Sequence, residues 1–212
     1  MNVGKSVFKA VQEWQRGDPE SAMLHACNAV DGTARKAYPT LGNKERFTKL
    51  LRDHYDVLGA MGAPGINLME TRFPVVVRRP TASGGEPDLA DVIYAVHRCT
   101  HGHGDELPDG FSLLSDAAGP PRVTRMTVQD GSVQLSDRVI FGLVAVAVFA
   151  SVNANERSPN ATLFLTFGAT EKMLVNEWWG READFLKVAA ADPSPQVTLD
   201  FSEWRKRRGG GY

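Results

Sequence analysis

The chain has 212 residues, of which 42% are apolar and 23% charged; its net charge is −1 and it holds two cysteines. That length suits one domain with at most a small extension, and the composition excludes a disordered chain. The near-neutral charge argues against a polycation that coats nucleic acid, and Cys27 and Cys99 are too few for a disulfide framework or a four-cysteine zinc site. A reducing, cytoplasmic setting is therefore expected, with no signal peptide in Met1–Lys9.

The first predicted helix covers Val3 to Gln15, with Val3, Val7, Ala10, Val11 and Trp14 on one stripe. Gly17-Asp18-Pro19 breaks it, and Asp18 caps a second helix that has Pro19 at its first position and runs to about Tyr38. Met23, Ala26, Cys27, Val30, Ala34 and Ala37 form its inward face. A third helix is expected from the N-cap Asn43 through Met61. The Gly- and Pro-rich stretch 59–85 holds one candidate strand, Val75-Val76-Val77. A fourth helix starts at Pro87-Asp88, with Leu89, Val92, Ile93 and Val96 as its core stripe, and Gly102 and Gly104 stop it.

The period then changes. Val123–Val128 and Ser132–Leu135 are β-like runs joined by Gln129-Asp130-Gly131, a hairpin signal. Ser136 or Asp137 caps a helix over Val139 to Val152, an uncharged run of 14 residues. A membrane span needs about 20 residues, so this run reads as a helix buried on all sides. A strand (Thr162 to Phe167), a helix (about Thr170 to Ala190) and a strand (Gln196 to Phe201) follow. The tail, Arg205-Lys-Arg-Arg208 and three glycines, reads as a solvated end, with phosphate contact as its functional alternative.

Chemistry concentrates in Tyr94–Glu106, which holds three of the five histidines, His97, His101 and His103, together with Arg98 and Asp105. Three readings stay open. In the first, the side chains only cap a helix C-terminus, where cations are favoured. In the second they hold a metal. Thr100–Glu106 resembles the THxHxDH signature of metallo-β-lactamase-like hydrolases, with Glu106 in place of the last His. No histidine follows His103 to complete such a cage, but His97, His101 and Asp105 at i, i+4, i+8 could form a mononuclear site. The third reading needs no metal: an imidazole moves a proton at a ribose 2′-OH or leaving 5′-oxygen, and a guanidinium neutralises the phosphoryl oxygens.

Arg98 and His103 have an Rx4H spacing at a helix end, with Ile93-Tyr94 upstream and His103-Gly104 closing the motif. This pattern, within amphipathic helices, resembles the HEPN superfamily over about residues 5–155. The resemblance implies a mainly α fold: a HEPN-like helical bundle over residues 1–155 with an inserted β-hairpin at about 111–136. A small α/β C-terminal extension (156–204) and a basic, Gly-rich flexible tail (205–212) complete the chain. It further implies a homodimer whose two Arg/His pairs meet in one cleft, an RNA substrate, no cofactor, and a toxin–antitoxin or phage-defence setting in which an antitoxin could be a partner. No membrane association is expected. By the resemblance Arg98 holds the scissile phosphate and His103 is general acid or base; His101, His97, Cys99 and Tyr94 are auxiliary. Many active members carry Asn, Asp or His after the motif arginine, where this chain has Cys99. Five residues apart, Arg98 and His103 are about 140° apart on an unbroken helix, so Gly102 must bend the chain for them to converge. Non-catalytic HEPN-like binding modules and metal-dependent hydrolases are the competing functional classes. His25 and His54 read as packed or surface residues on helices.

Overall fold

The computed structural model describes residues 2–99, 107–116, 124–168, 172–191 and 195–201. Among them the chain is mostly helical with two small sheets. The first two helices stand where periodicity and capping put them. α1 is Val3–Gln15, with Asn2 accepting from Lys5 N. α2 is Pro19–Ala37, with the Asp18 carboxylate accepting from Ser21 N and Pro19 at the first turn. They pack side by side along Val3, Val7, Ala10, Met23, Ala26 and Val30, all fully buried.

The expected third helix is two helices. α3 (Asn43–Asp53) begins after Gly42, which offers no side-chain cap, and α4 (Tyr55–Gly62) follows a break at His54. The break has a tertiary cause: His54 Nδ1 lies 2.5 Å from Glu182 Oε1, near the far end of the chain. Val75-Val76-Val77 is not a strand. Val75 and Val77 are buried and Val76 is 89% exposed, so the alternation is real, but among the described residues no strand supplies ladder hydrogen bonds.

α5 (Leu89–Val92) passes directly into a π-helical turn, Ile93–Arg98. β1 (Phe111–Leu114), β2 (Thr127–Gln129) and β3 (Ser132–Ser136) form one sheet in the order β1-β3-β2. The β2–β3 hairpin turns at Gly131, whose φ of 81° supplies the predicted left-handed geometry. β1 runs parallel to β3. α6 (Arg138–Phe149) ends earlier than expected, and a 3-10 turn, Ser151–Asn153, follows it. Every residue from Val139 to Phe149 is buried except Phe141. It crosses α4 at a glycine pair: a Cβ at Gly142 would stand 2.8 Å from Leu58 Cδ1 and 2.9 Å from Gly62 Cα.

The C-terminal region departs from the expected strand–helix–strand order. β4 (Phe164–Leu165) pairs with β5 (Met173–Leu174). The single long helix expected from Thr170 to Ala190 is a strand, a short α7 (Val175–Trp178), and α8 (Glu182–Ala191). Gly180, at φ 76°, makes the turn between the two helices and donates its N–H to Val148 O of α6. Phe185 stacks on Phe149 with centroids 4.5 Å apart, which fixes α8 to the core. Instead of a strand over Gln196 to Phe201, Val197 makes one parallel bridge to Ile66. The expected flexible tail, 205–212, lies outside the described residues. No helix among the described residues is long and apolar enough to cross a membrane.

Candidate functional site

The helix that carries Arg98 is fixed at its start by a buried polar hub. Asp88 caps α5 by accepting from Asp91 N, and the Arg52 guanidinium grips the Asp88 carboxylate through Nε (2.6 Å) and Nη2 (2.9 Å). Asp91, with no exposed surface, accepts from Arg52 Nη2, Thr81 N, Thr81 Oγ1 and Ala82 N. Tyr55 Oη accepts from Ala90 N. Burial opposes ionisation of Asp88, yet the Arg52 hydrogen bonds outweigh it and hold the carboxyl below its ordinary range.

From Ile93 the backbone widens, and Cys99 N donates to Tyr94 O five residues back. Such π turns accommodate one extra residue per turn and recur at functional sites. The turn ends at Arg98, whose Nε donates to Asp31 Oδ2 of α2 at 2.9 Å and whose guanidinium carbon stands 5.6 Å from the Tyr94 ring centroid. The Arg98 side chain is 28% exposed and the Asp31 side chain 8%. Burial works against the charge on Arg98, but the Asp31 carboxylate more than offsets it and raises the guanidinium's pKa. Asp31 Oδ1 takes no hydrogen bond from a described residue.

The structure thus places Tyr94 beside Arg98. Cys99 follows at half-buried depth. His97 differs: expected beside Arg98 as a phosphate contact or a surface residue, it is wholly buried. Neighbouring residues of a helix point to different sides of its axis, so the turn that leaves Arg98 partly exposed sends His97 inward. His101, His103 and Asp105 lie outside the described residues, and with them the Arg98–His103 pairing and the metal trio. Among the described residues no group of three His, Cys, Asp or Glu side chains is placed to hold a metal.

Sequence reasoning missed Asp31, although a signal was present. Asp31 stands four residues after Cys27, beside Val30 on the inward stripe of α2, where a carboxylate needs a partner. The buried Cys27 thiol is pushed up, first by burial and then by that carboxylate. Lys44 was missed as well; its Nζ lies 5.8 Å from the Tyr94 centroid, opposite in sequence but adjacent in space.

A separate concavity of about 890 Å³ opens between α1, the start of α6 and β4. Trp14 and Phe141 wall it with rings at 80° to one another. The Asp137 carboxylate accepts from Trp14 Nε1 and Asp116 N, so Ser136 Oγ takes the first helical N–H, that of Arg138. These groups tie the sheet to α1 and satisfy each other, and none belongs to the Arg98 cluster.

The Rv1289 family model matches residues 2–205, nearly the whole chain. Uncharacterized protein Rv1289 of Mycobacterium tuberculosis (strain H37Rv) is 41% identical over 205 residues, covering 96% of this chain and 95% of its own length. Uncharacterized protein Mb1320 of Mycobacterium bovis matches with the same identity and coverage. No solved structure matches the chain. The chain belongs to the Rv1289 family.

Proposed function

We propose that this member of the Rv1289 family is a HEPN-like, metal-independent endoribonuclease that works as a cytoplasmic homodimer, with a toxin-like or defence role. The observation that carries the reading is Arg98 at the close of a π turn, anchored through Nε by Asp31 and still 28% exposed. Anchoring at Nε leaves the two terminal nitrogens, which bond no other described residue, to hold a phosphate in bidentate fashion. In the reaction the ribose 2′-oxygen attacks phosphorus and the bond to the leaving 5′-oxygen breaks. The products are a 2′,3′-cyclic phosphate and a free 5′-OH. His103 takes the 2′-OH proton or delivers one to the 5′-oxygen, and Arg98 neutralises charge on the non-bridging oxygens. Because the nucleophile is already part of the substrate, positioning supplies much of the rate.

Arg98→Ala and His103→Ala are each expected to lower cleavage of a labelled RNA in excess EDTA by about 10²–10⁴-fold, the usual weight of a proton-transfer group or an oxyanion donor. Cleavage at the wild-type rate in both variants refutes the reading, and loss of wild-type activity in EDTA transfers the chemistry to a metal-dependent hydrolase. A second reading, a non-catalytic HEPN-like module that binds RNA or protein, is favoured by the same ion pair: the Asp31 carboxylate offsets part of the charge Arg98 would bring to a phosphorane while leaving its terminal nitrogens as binding contacts. RNA binding without cleavage of any RNA decides for it.

A further inference from the structure

Resting on the ribonuclease reading, we propose that Lys44, Arg78 and Arg79 form a track for the phosphate backbone of RNA, leading to Arg98. Lys44, in the first turn of α3, sends Nζ to Arg78 O (2.8 Å) and Arg79 O (2.6 Å), which draws the 78–79 loop against the helix. The same ammonium stands 5.8 Å from the Tyr94 centroid, and Arg98 stands 5.6 Å from it. One tyrosine ring therefore joins the two ends of the track. Arg46 lies behind it, 9% exposed, with one terminal nitrogen on Asn43 and a buried Nε that meets no described acceptor.

The charge balance of this face favours an anionic partner. Lys44, Arg46, Arg78 and Arg79 form no ion pair with any described carboxylate, in a chain whose net charge is −1. The acid in the same turn is the exposed Glu45, and Asp31 engages Arg98 alone. Four such cations beside a fifth create a local positive field that the overall charge conceals.

The backbone supplies an independent sign. Among the described residues Arg79 is the one non-glycine residue held at positive φ, 54°, a strained conformation that favours Gly or Asn. Lys44 grips its carbonyl on one side, and Asp91 grips Thr81 and Ala82 just beyond it. Arg78 and Arg79 are both exposed. Exposed arginines on a strained, anchored loop, with further unpaired cations behind, suit a polyanion with regularly spaced charges. RNA phosphates meet that description, and Arg and Lys are their usual partners.

The test is fluorescence anisotropy with a labelled 2′-O-methyl oligonucleotide, which lacks the 2′-OH nucleophile and cannot be cleaved by the proposed reaction. Arg78→Gln/Arg79→Gln removes two exposed side chains, so it is expected to fold; Lys44→Gln is the second variant. Each is expected to weaken binding roughly tenfold or more, and the double variant to flatten the plot of log affinity against log salt by about 0.7 per lost contact. Unchanged affinity and slope in the double variant overturn the track, as does a wild-type chain that binds no oligonucleotide. Equal, equally sensitive binding of a polyglutamate peptide also overturns it, in favour of an acidic protein partner. Track-dependent binding in a chain that cleaves no RNA leaves the track standing and refutes the nuclease. Cleavage that depends on Arg98 and His103 but ignores the track does the reverse.

Discussion

Replacing Asp91 by asparagine removes one oxygen and one charge from a group with no exposed surface. Four donors converge on that carboxylate: Arg52 Nη2 (3.0 Å), Thr81 N (2.9 Å), Thr81 Oγ1 (2.8 Å) and Ala82 N (3.0 Å). The single amide oxygen can keep Thr81, which bonds Oδ1. The amide NH2 then faces Ala82 N and Arg52 Nη2, donor against donor, on the Oδ2 side. An unsatisfied buried donor costs about 1–3 kcal/mol, and breaking a buried ion pair about 3–5 kcal/mol. Arg52 is 23% exposed and can recruit water, so the lower part of that range, about 3 kcal/mol, is expected. For a chain of this length each kcal/mol moves the melting midpoint by about 2–4 °C, giving a fall of roughly 6–12 °C. Thermal unfolding followed by circular dichroism at pH 7 measures it. A fall below about 2 °C would show that the hub does not hold the 81–91 segment, and the anchoring of the Arg79 loop would lose its basis.

The Arg52–Asp88 pair predicts acid sensitivity. Because the folded carboxyl titrates below its unfolded value of about 3.9, its contribution is complete above that pH and is lost as pH falls through the lower folded value. The stability difference between wild type and Asp88→Asn, from urea titrations, should be constant from pH 8 to 5 and shrink below about 4; a difference that instead shrinks above pH 5 refutes the assignment. Gly142→Ala would gain about 1 kcal/mol of helix propensity in an open helix, yet here its Cβ meets Leu58 and Gly62 below 3 Å. Overpacking of about 1–3 kcal/mol should win, lowering the melting midpoint by several degrees, and a higher midpoint would show that the α4–α6 crossing is loose.

Much of the frame was legible because it is locally determined. The apolar stripe of α1, the Asp18-Pro19 start of α2, the uncharged run of α6 and the Asp130-Gly131 turn each act through contacts within a few residues. Periodicity and capping therefore suffice for them. Arg98 and Tyr94 were legible for the same reason, one helical turn apart. What failed to be legible depends on partners far along the chain. The break between α3 and α4 falls at His54, which meets Glu182 across 128 residues. Val75–Val77 alternates like a strand but pairs with no strand among the described residues, whereas β1 becomes one because β3 lies beside it. Asp31 and Arg98 are 67 residues apart, and Lys44 and Arg79 are 35 apart. Sequence alone established that a helix carrying Tyr94 and Arg98 would exist, since backbone hydrogen bonds and side-chain spacing settle that locally. Only the tertiary structure decided which carboxylate restrains that arginine and which cations gather beside it, because the choice of a buried charge's partner is made when distant segments close on one another.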